Sequence, residues 1–336
     1  MEALTAQSKD ARKARFSARE ARVVTTARLH FGFLDPSGRG EQPFGSFGLA
    51  LDRPKTSLKL TPARSFQASG PERERALRYL KSIAQSCGSK ASYKLHIEEA
   101  IPPHAGLGSG TQLALAVGSA YATLEGLTLD PLQIATRLER GTRSGIGIAT
   151  FQEGGVVLDG GPKDGRLPEL LSRVPFPPAW RVMLIFDPGA TGLAGLDEAS
   201  AFDSLPDFPE KETEDLRRRV TQAALPALAA GDFGTFCELI GHLQARMGSY
   251  FSPSQGGPYS SPRVSETLDW LRRQGHTGVG QSSWGPTGFA FVASEAEGNT
   301  LLAELRAGSG GPGLKFDLAR GRNDGAIIET SPGEIR

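Results

Sequence analysis

Pro102-Pro103-His104-Ala105-Gly106-Leu107-Gly108-Ser109-Gly110-Thr111-Gln112 runs straight into Thr111–Leu124, a stretch that is apolar almost all round. A helix without a polar face must be buried, so the chain has to wrap at least two layers around it. The three glycines before it let the backbone turn tightly and bring N–H groups close to a ligand. The helix start then offers unpaired N–H donors and the positive end of a dipole, which suits an anion. That dipole is typically worth about 0.3–1 kcal/mol, so arginine, lysine or metal cations must share a multiply charged ligand. Gly106, Gly108, Ser109, Gly110, Thr111 and Gln112 are the candidate phosphate-binding residues.

The patterns around this loop mix both periodicities. Strands are predicted over 22–33, 56–60 and 93–97, a helix over 71–86, and a further helix capped by Asp130 with Pro131 at its first position. The Gly/Pro-rich stretch 159–178 is the best domain boundary. Beyond it come a short apolar strand at 182–186 and helical patterns over 211–230, 232–248 and 262–274. The chain then alternates again: strand 286–293, helix 295–306, strands 313–318 and 325–329. The class is therefore α+β. With 336 residues, two domains are expected, 21–165 and 175–336, behind a flexible basic tail at 1–20. The segment 197–210, with several Asp and Pro residues, reads as a mobile loop.

A formal net charge of +1 selects neither nucleic acid nor an anionic membrane. Cys87 and Cys237 stand far apart without CxxC spacing, and the five histidines form no HxxxH pair. A disulfide framework and a zinc site are thus unsupported, and a cytoplasmic setting is the expectation. No apolar run approaches a membrane span, and the basic N-terminal residues lead into no signal-like apolar segment.

Pro102 to Gln112 resembles the second, phosphate-binding motif of the GHMP kinases, commonly PxxxGLGSS, with Gly110 where a second Ser is usual. Thr26-Ala27-Arg28-Leu29-His30-Phe31-Gly32 is similar to the first motif without its usual Pro-Gly-Lys. Gly278-Val279-Gly280-Gln281-Ser282-Ser283-Trp284-Gly285-Pro286-Thr287-Gly288 occupies the place of the third, Gly-rich motif. The resemblance spans most of the chain. It implies a GHMP-kinase-like two-domain fold, with an N-terminal domain like ribosomal protein S5 domain 2 and a ferredoxin-like C-terminal domain, the site lying between them.

Several GHMP kinases carry a segment SGxDxxxxxxGG whose Asp is the catalytic base. Ser144 to Gly155 keeps that spacing, but the Asp position is Gly147. A general base contributes about 10²–10⁴-fold to rate, so its absence argues against phosphoryl transfer. GLGSGTQLALA, RSGIGI, GQSSWGPT and RLHFG together resemble the β-ribofuranosylaminobenzene 5′-phosphate synthase family of methanopterin biosynthesis. That resemblance implies a decarboxylating phosphoribosyltransferase. Phosphoribosyl pyrophosphate is joined to 4-aminobenzoate or 4-hydroxybenzoate, and CO2 and pyrophosphate leave. The alternative is an ATP-dependent GHMP small-molecule kinase.

This chemistry asks for fixed donors around a departing pyrophosphate and for Mg²⁺. Loss of CO2 restores aromaticity, so no strong base is needed at the attacked carbon. Arg28 and Arg143 are the candidate partners of carboxylate and phosphate, because a guanidinium fork fits both. His30 is the candidate donor to phosphate or to the departing oxygen. Gln281, Ser282, Ser283 and Trp284 are expected to line the same cleft, Trp284 stacking on the aromatic acid or packing between domains. Asp35, Glu153 and Asp187 are the candidate metal carboxylates. Family resemblance further implies a homodimer and small-molecule substrates only.

Overall fold

The structure, a computed structural model, describes residues 18–40, 43–193 and 195–332. The proposed tail at 1–20 falls mostly outside them, and its last three residues already belong to a strand. That strand, β1 (Ala18–Asp35), forms a long antiparallel hairpin with β2 (Phe44–Ala63). β3 (Gln67–Ser69), α1 (Arg73–Ser86) and β4 (Ser92–Glu99) follow, and β4 pairs with the far half of β2. Then comes α2 (Ser109–Glu125), the buried helix that the sequence requires.

α3 (Pro131–Arg137) starts with a complete capping box between Asp130 and Gln133. α4 (Ile146–Glu153), β5 (Val156–Asp159) and β6 (Leu170–Val174) complete the first half of the chain. The stretch expected as a domain boundary thus carries a strand, because β6 pairs with β5 and β5 with β2. One core lies where α1 and α2 cover β1, β2 and β4, with Leu80, Leu95, Leu115 and Tyr121 buried.

β7 (Arg181–Phe186) begins a four-stranded antiparallel sheet, ordered β10-β7-β9-β8. Its other strands are β8 (Val279–Gln281), β9 (Gly288–Val292) and β10 (Lys315–Ala319). Between β7 and β8 lie α5 (Leu196–Ser204), α6 (Glu210–Arg219), α7 (Leu225–Ala230), α8 (Phe233–Gln255) and α9 (Pro262–Arg273). α5 replaces part of the expected mobile loop. α10 (Glu295–Glu304) follows β9.

Alternation on β7 serves two cores. Val182 and Leu184 face Phe31, Phe236 and Phe291, whereas Met183 and Ile185 face Val264, Leu268 and Leu301. The first of these cores joins the two sheets through β1. β11 (Ile327–Pro332) returns to pair with β1, so this last described strand belongs to the first sheet and not to the expected 175–336 unit.

Candidate active site

β1 is irregular where it meets the loop. Its register against β2 shifts between Thr26 and Arg28 and again between His30 and Gly32. Such bulges re-aim side chains, and here they bracket Arg28 and His30. Arg28 N donates to the Leu107 carbonyl at 3.1 Å, and its Nη1 donates to the Gly106 carbonyl at 2.5 Å. The guanidinium therefore holds the loop as well as charging it. Burial pulls Arg28 down to about 10, opposed by the negative charge of Glu198, so it remains a cation at neutral pH.

The Gly-rich segment after β8 clasps the same loop. Ser282 Oγ donates to the Gly106 carbonyl at 2.7 Å and accepts from His30 N at 3.0 Å. Ser283 N donates to the His30 carbonyl at 3.1 Å. Gly106 has φ +73, and a Cβ there would stand 2.2 Å from the Ser282 carbonyl oxygen, so only glycine fits. The two sheets are thus stitched together at the site itself.

Gly108 caps α2 in a left-handed conformation, and the first helical bond runs from Gln112 N to the Gly108 carbonyl at 3.0 Å. The N–H groups of Ser109, Gly110 and Thr111 precede that ladder and form the anion-suited end. Cations surround it. Arg75 Nη2 donates to Ser109 Oγ at 3.4 Å, and Arg140 Nη2 would lie 3.1 Å from a Cβ on Gly110. Arg143 lies 3.9 Å from Glu198 and 4.7 Å above the Phe202 ring. Burial pushes the Glu198 carboxyl up, against the pull of Arg143, Arg28, the Trp284 hydrogen bond and Arg140.

Several expected site residues have structural partners instead. Gln112 is fully buried, accepting from Thr25 Oγ1 and donating from Nε2 to the Gly147 carbonyl at 2.8 Å. Its amide ties α2 to β1 and α4 rather than facing the loop's ligand. Thr111 packs its methyl against Gly147, where a Cβ would stand 3.0 Å away. Gln281 Oε1 accepts from Ser260 N at 2.8 Å, and its Nε2 donates to the Ser283 carbonyl at 3.1 Å.

Trp284 is 5% exposed, with its ring 4.6 Å from Phe251 and 5.4 Å from Phe202. It is at once a packing residue and a wall of a crevice. His30 is 3% exposed, and neither of its ring nitrogens has a hydrogen-bond partner among the described residues. Burial, then the charge of Arg28, holds it well below the ordinary imidazole range, so it is neutral. The backbone of His30 meets the clasp, while its ring packs with its centroid 4.7 Å from that of Phe33. A neutral imidazole still carries one N–H donor.

The three metal candidates do not converge. Asp35 accepts from Ser37 and Gly40 within its own turn. Asp187 is bound by Arg263 and by Ser261 Oγ, and Glu153 ends α4 beside Arg173. Among the described residues no group of three His, Cys, Asp or Glu side chains is placed to hold a metal. No helix among the described residues is long and apolar enough to cross a membrane.

Arg75, Arg140 and Glu198 were not found from the sequence. Arg140 stands three residues before Arg143, and that pairing beside the Ser-Gly segment was the one available signal.

Residues 74–155 match the GHMP kinases N terminal domain, and residues 224–309 match the GHMP kinases C terminal domain. The chain is 31% identical to the β-ribofuranosylphenol 5′-phosphate synthase of Archaeoglobus fulgidus, over 92% of this chain and 99% of that protein. It is 28% identical to the enzyme of the same name from Methanothermobacter thermautotrophicus, over 91% of this chain and 98% of that protein. The homoserine kinase structure from Cytophaga hutchinsonii superposes with a TM-score of 0.66 at 15% identity, covering 93% and 98% of the two chains. That last likeness carries the fold alone.

Proposed function

This chain belongs to the β-ribofuranosylphenol 5′-phosphate synthase family, and on that premise we propose that it is a decarboxylating phosphoribosyltransferase. Its substrates are phosphoribosyl pyrophosphate and 4-hydroxybenzoate or 4-aminobenzoate, in tetrahydromethanopterin biosynthesis. The single observation that carries this reading is the pairing of an arginine-ringed anion loop with a closed base position. Arg28, Arg75 and Arg140 approach the start of α2, whereas Gly147 offers no proton acceptor and is packed against Thr111.

The bond from the anomeric carbon to pyrophosphate breaks as the ring carbon bearing the carboxylate attacks. The ring–carboxylate bond then breaks, CO2 departs, and its bonding pair restores the aromatic ring. The N–H groups of Ser109, Gly110 and Thr111, with Arg75 and Arg140, hold the charge that builds on pyrophosphate. Bound with the pyrophosphate substrate, Mg²⁺ would supply further charge neutralisation there, since it takes few protein carboxylates and is commonly shared with phosphates and water. Arg28 and Arg143 hold the benzoate carboxylate and the 5-phosphate.

Mass spectrometry of the reaction mixture tests this reading. A C-glycoside that accumulates one-for-one with pyrophosphate supports it. ATP-dependent phosphorylation of an alcohol, with no such product, returns the chain to the kinase alternative.

A further inference from the structure

We infer that the Glu198 carboxylate stands in for a ligand anion among Arg28, Arg140 and Arg143, and that the first turn of α5 is a strap that lifts when a phosphate-bearing ligand takes its place. This rests on the reading of these arginines as an anion site, and not on the reaction that follows binding.

The charges at the loop call for a ligand. Arg75 is answered by Glu72 at 2.9 Å. Arg28 and Arg140 lie against Gly108 and Gly110, and both act with Arg143 on the one carboxylate of Glu198. Arg140 Nε is buried without a hydrogen-bond partner among the described residues. Three cations facing one carboxylate leave an excess of positive charge, which favours an anion with more than one negative charge.

The hold of Glu198 is loose. Its Oε1 lies 3.9 Å from Arg143 Nη1, beyond hydrogen-bond reach. The Arg143 and Glu198 side chains are 32% and 31% exposed, so a ligand from solvent can reach both. Burial raises the Glu198 carboxyl against the pull of the cations, so this anion gives up little on leaving. A part-exposed pair at that separation adds little stability, whereas phosphate oxygens accept short, charge-assisted bonds from a guanidinium fork.

The turn that carries Glu198 lies between two anchors. Upstream, Gly192 N donates to the His104 carbonyl at 2.8 Å, so the chain approaches α5 from over the anion loop. Downstream, the Phe202 ring packs 5.4 Å from Trp284 and 5.8 Å from Phe33 and Phe251, and Arg39 Nη1 donates to the Leu205 carbonyl at 3.1 Å. Gly195, at the start of α5, has φ +62, and a Cβ there would meet nothing within 4 Å. The turn can therefore pivot at Gly195 while both anchors stay. Arg143 remains 4.7 Å above the Phe202 ring when Glu198 leaves, and that cation–π contact keeps it aimed at the ligand.

Calorimetric titration with inorganic pyrophosphate compares wild type, Glu198→Gln and Asp203→Asn, the last removing an exposed charge from the same helix. If the carboxylate holds the arginines about nine-tenths of the time, Glu198→Gln binds about tenfold tighter, because only the open fraction accepts ligand. Asp203→Asn binds as wild type does. Hydrogen exchange of wild-type protein needs no variant: amide exchange across 196–204 rises when pyrophosphate is added. Affinity unchanged or weakened in Glu198→Gln, an equal gain in Asp203→Asn, or exchange that stays the same or slows overturns the strap. Neither measurement requires turnover. A protein that forms no C-glycoside can still pass both, and an active synthase can still fail them.

Discussion

Nη2 of Arg140 lies 3.1 Å from the point where a Cβ on Gly110 would stand. In the related kinase motif that position is usually a serine. Here its absence leaves room for a cation at the start of α2, beside a helix dipole of the same sign. Two positive features in one place call for a ligand with more than one negative charge.

Gly110→Ser is predicted to push Arg140 off the helix start. The loss of one charge-assisted hydrogen bond is worth about 1.5–3 kcal/mol. The expected outcome is a rise in KM for phosphoribosyl pyrophosphate of roughly tenfold or more. Steady-state kinetics at fixed benzoate checks it, with an ATPase assay to show that the restored serine creates no kinase.

Arg28→Lys keeps the charge but loses the planar fork that reaches the Gly106 carbonyl. A fall in kcat/KM of about 10²-fold is expected, comparable to removing a fixed transition-state donor. Thermal melting should move little by comparison, because Leu107 is still bonded through the backbone of residue 28.

Ser282→Ala removes the hydroxyl that joins His30 N to the Gly106 carbonyl. Both groups are left without that partner, at a cost of about 1–3 kcal/mol. Urea unfolding should show a lower midpoint with unchanged slope.

His30 predicts a pH signature. Its folded-state value lies well below 6.5, the ordinary imidazole value. As pH falls below about 6.5 the unfolded chain takes up a proton that the folded state refuses, so stability is full above that pH and is lost on acidification. His242 shifts in the same direction, so the useful quantity is the difference from His30→Gln. Melting temperatures from pH 7.5 down to about 5 should fall more steeply for wild type than for that variant.

The parts of the fold legible in the sequence were those set by local pattern. Thr111–Leu124 had no polar face and is the buried helix Ser109–Glu125. Asp130 and Pro131 announced a capping box that is present. What escaped was long-range. Arg75 reaches Ser109 across 34 positions, and no spacing rule connects them. Glu198 sits on a short helix in an Asp- and Pro-bearing stretch, whose composition resembles a loop. Gln112 adjoins the loop in sequence, but each helical residue turns about 100°, which carries its amide inward to Gly147. The final strand alternates like any other, and only pairing with β1 shows which sheet receives it.

The central claim is that the anion loop and the missing base serve carbon–carbon bond formation with loss of CO2. Its most direct test is the release of labelled CO2 from carboxyl-labelled 4-hydroxybenzoate, with and without phosphoribosyl pyrophosphate and Mg²⁺. The account predicts release only when all three are present, and a rate cut by Arg28→Lys to about 1% of wild type. Folded protein that releases no label with either para-substituted benzoate would contradict it.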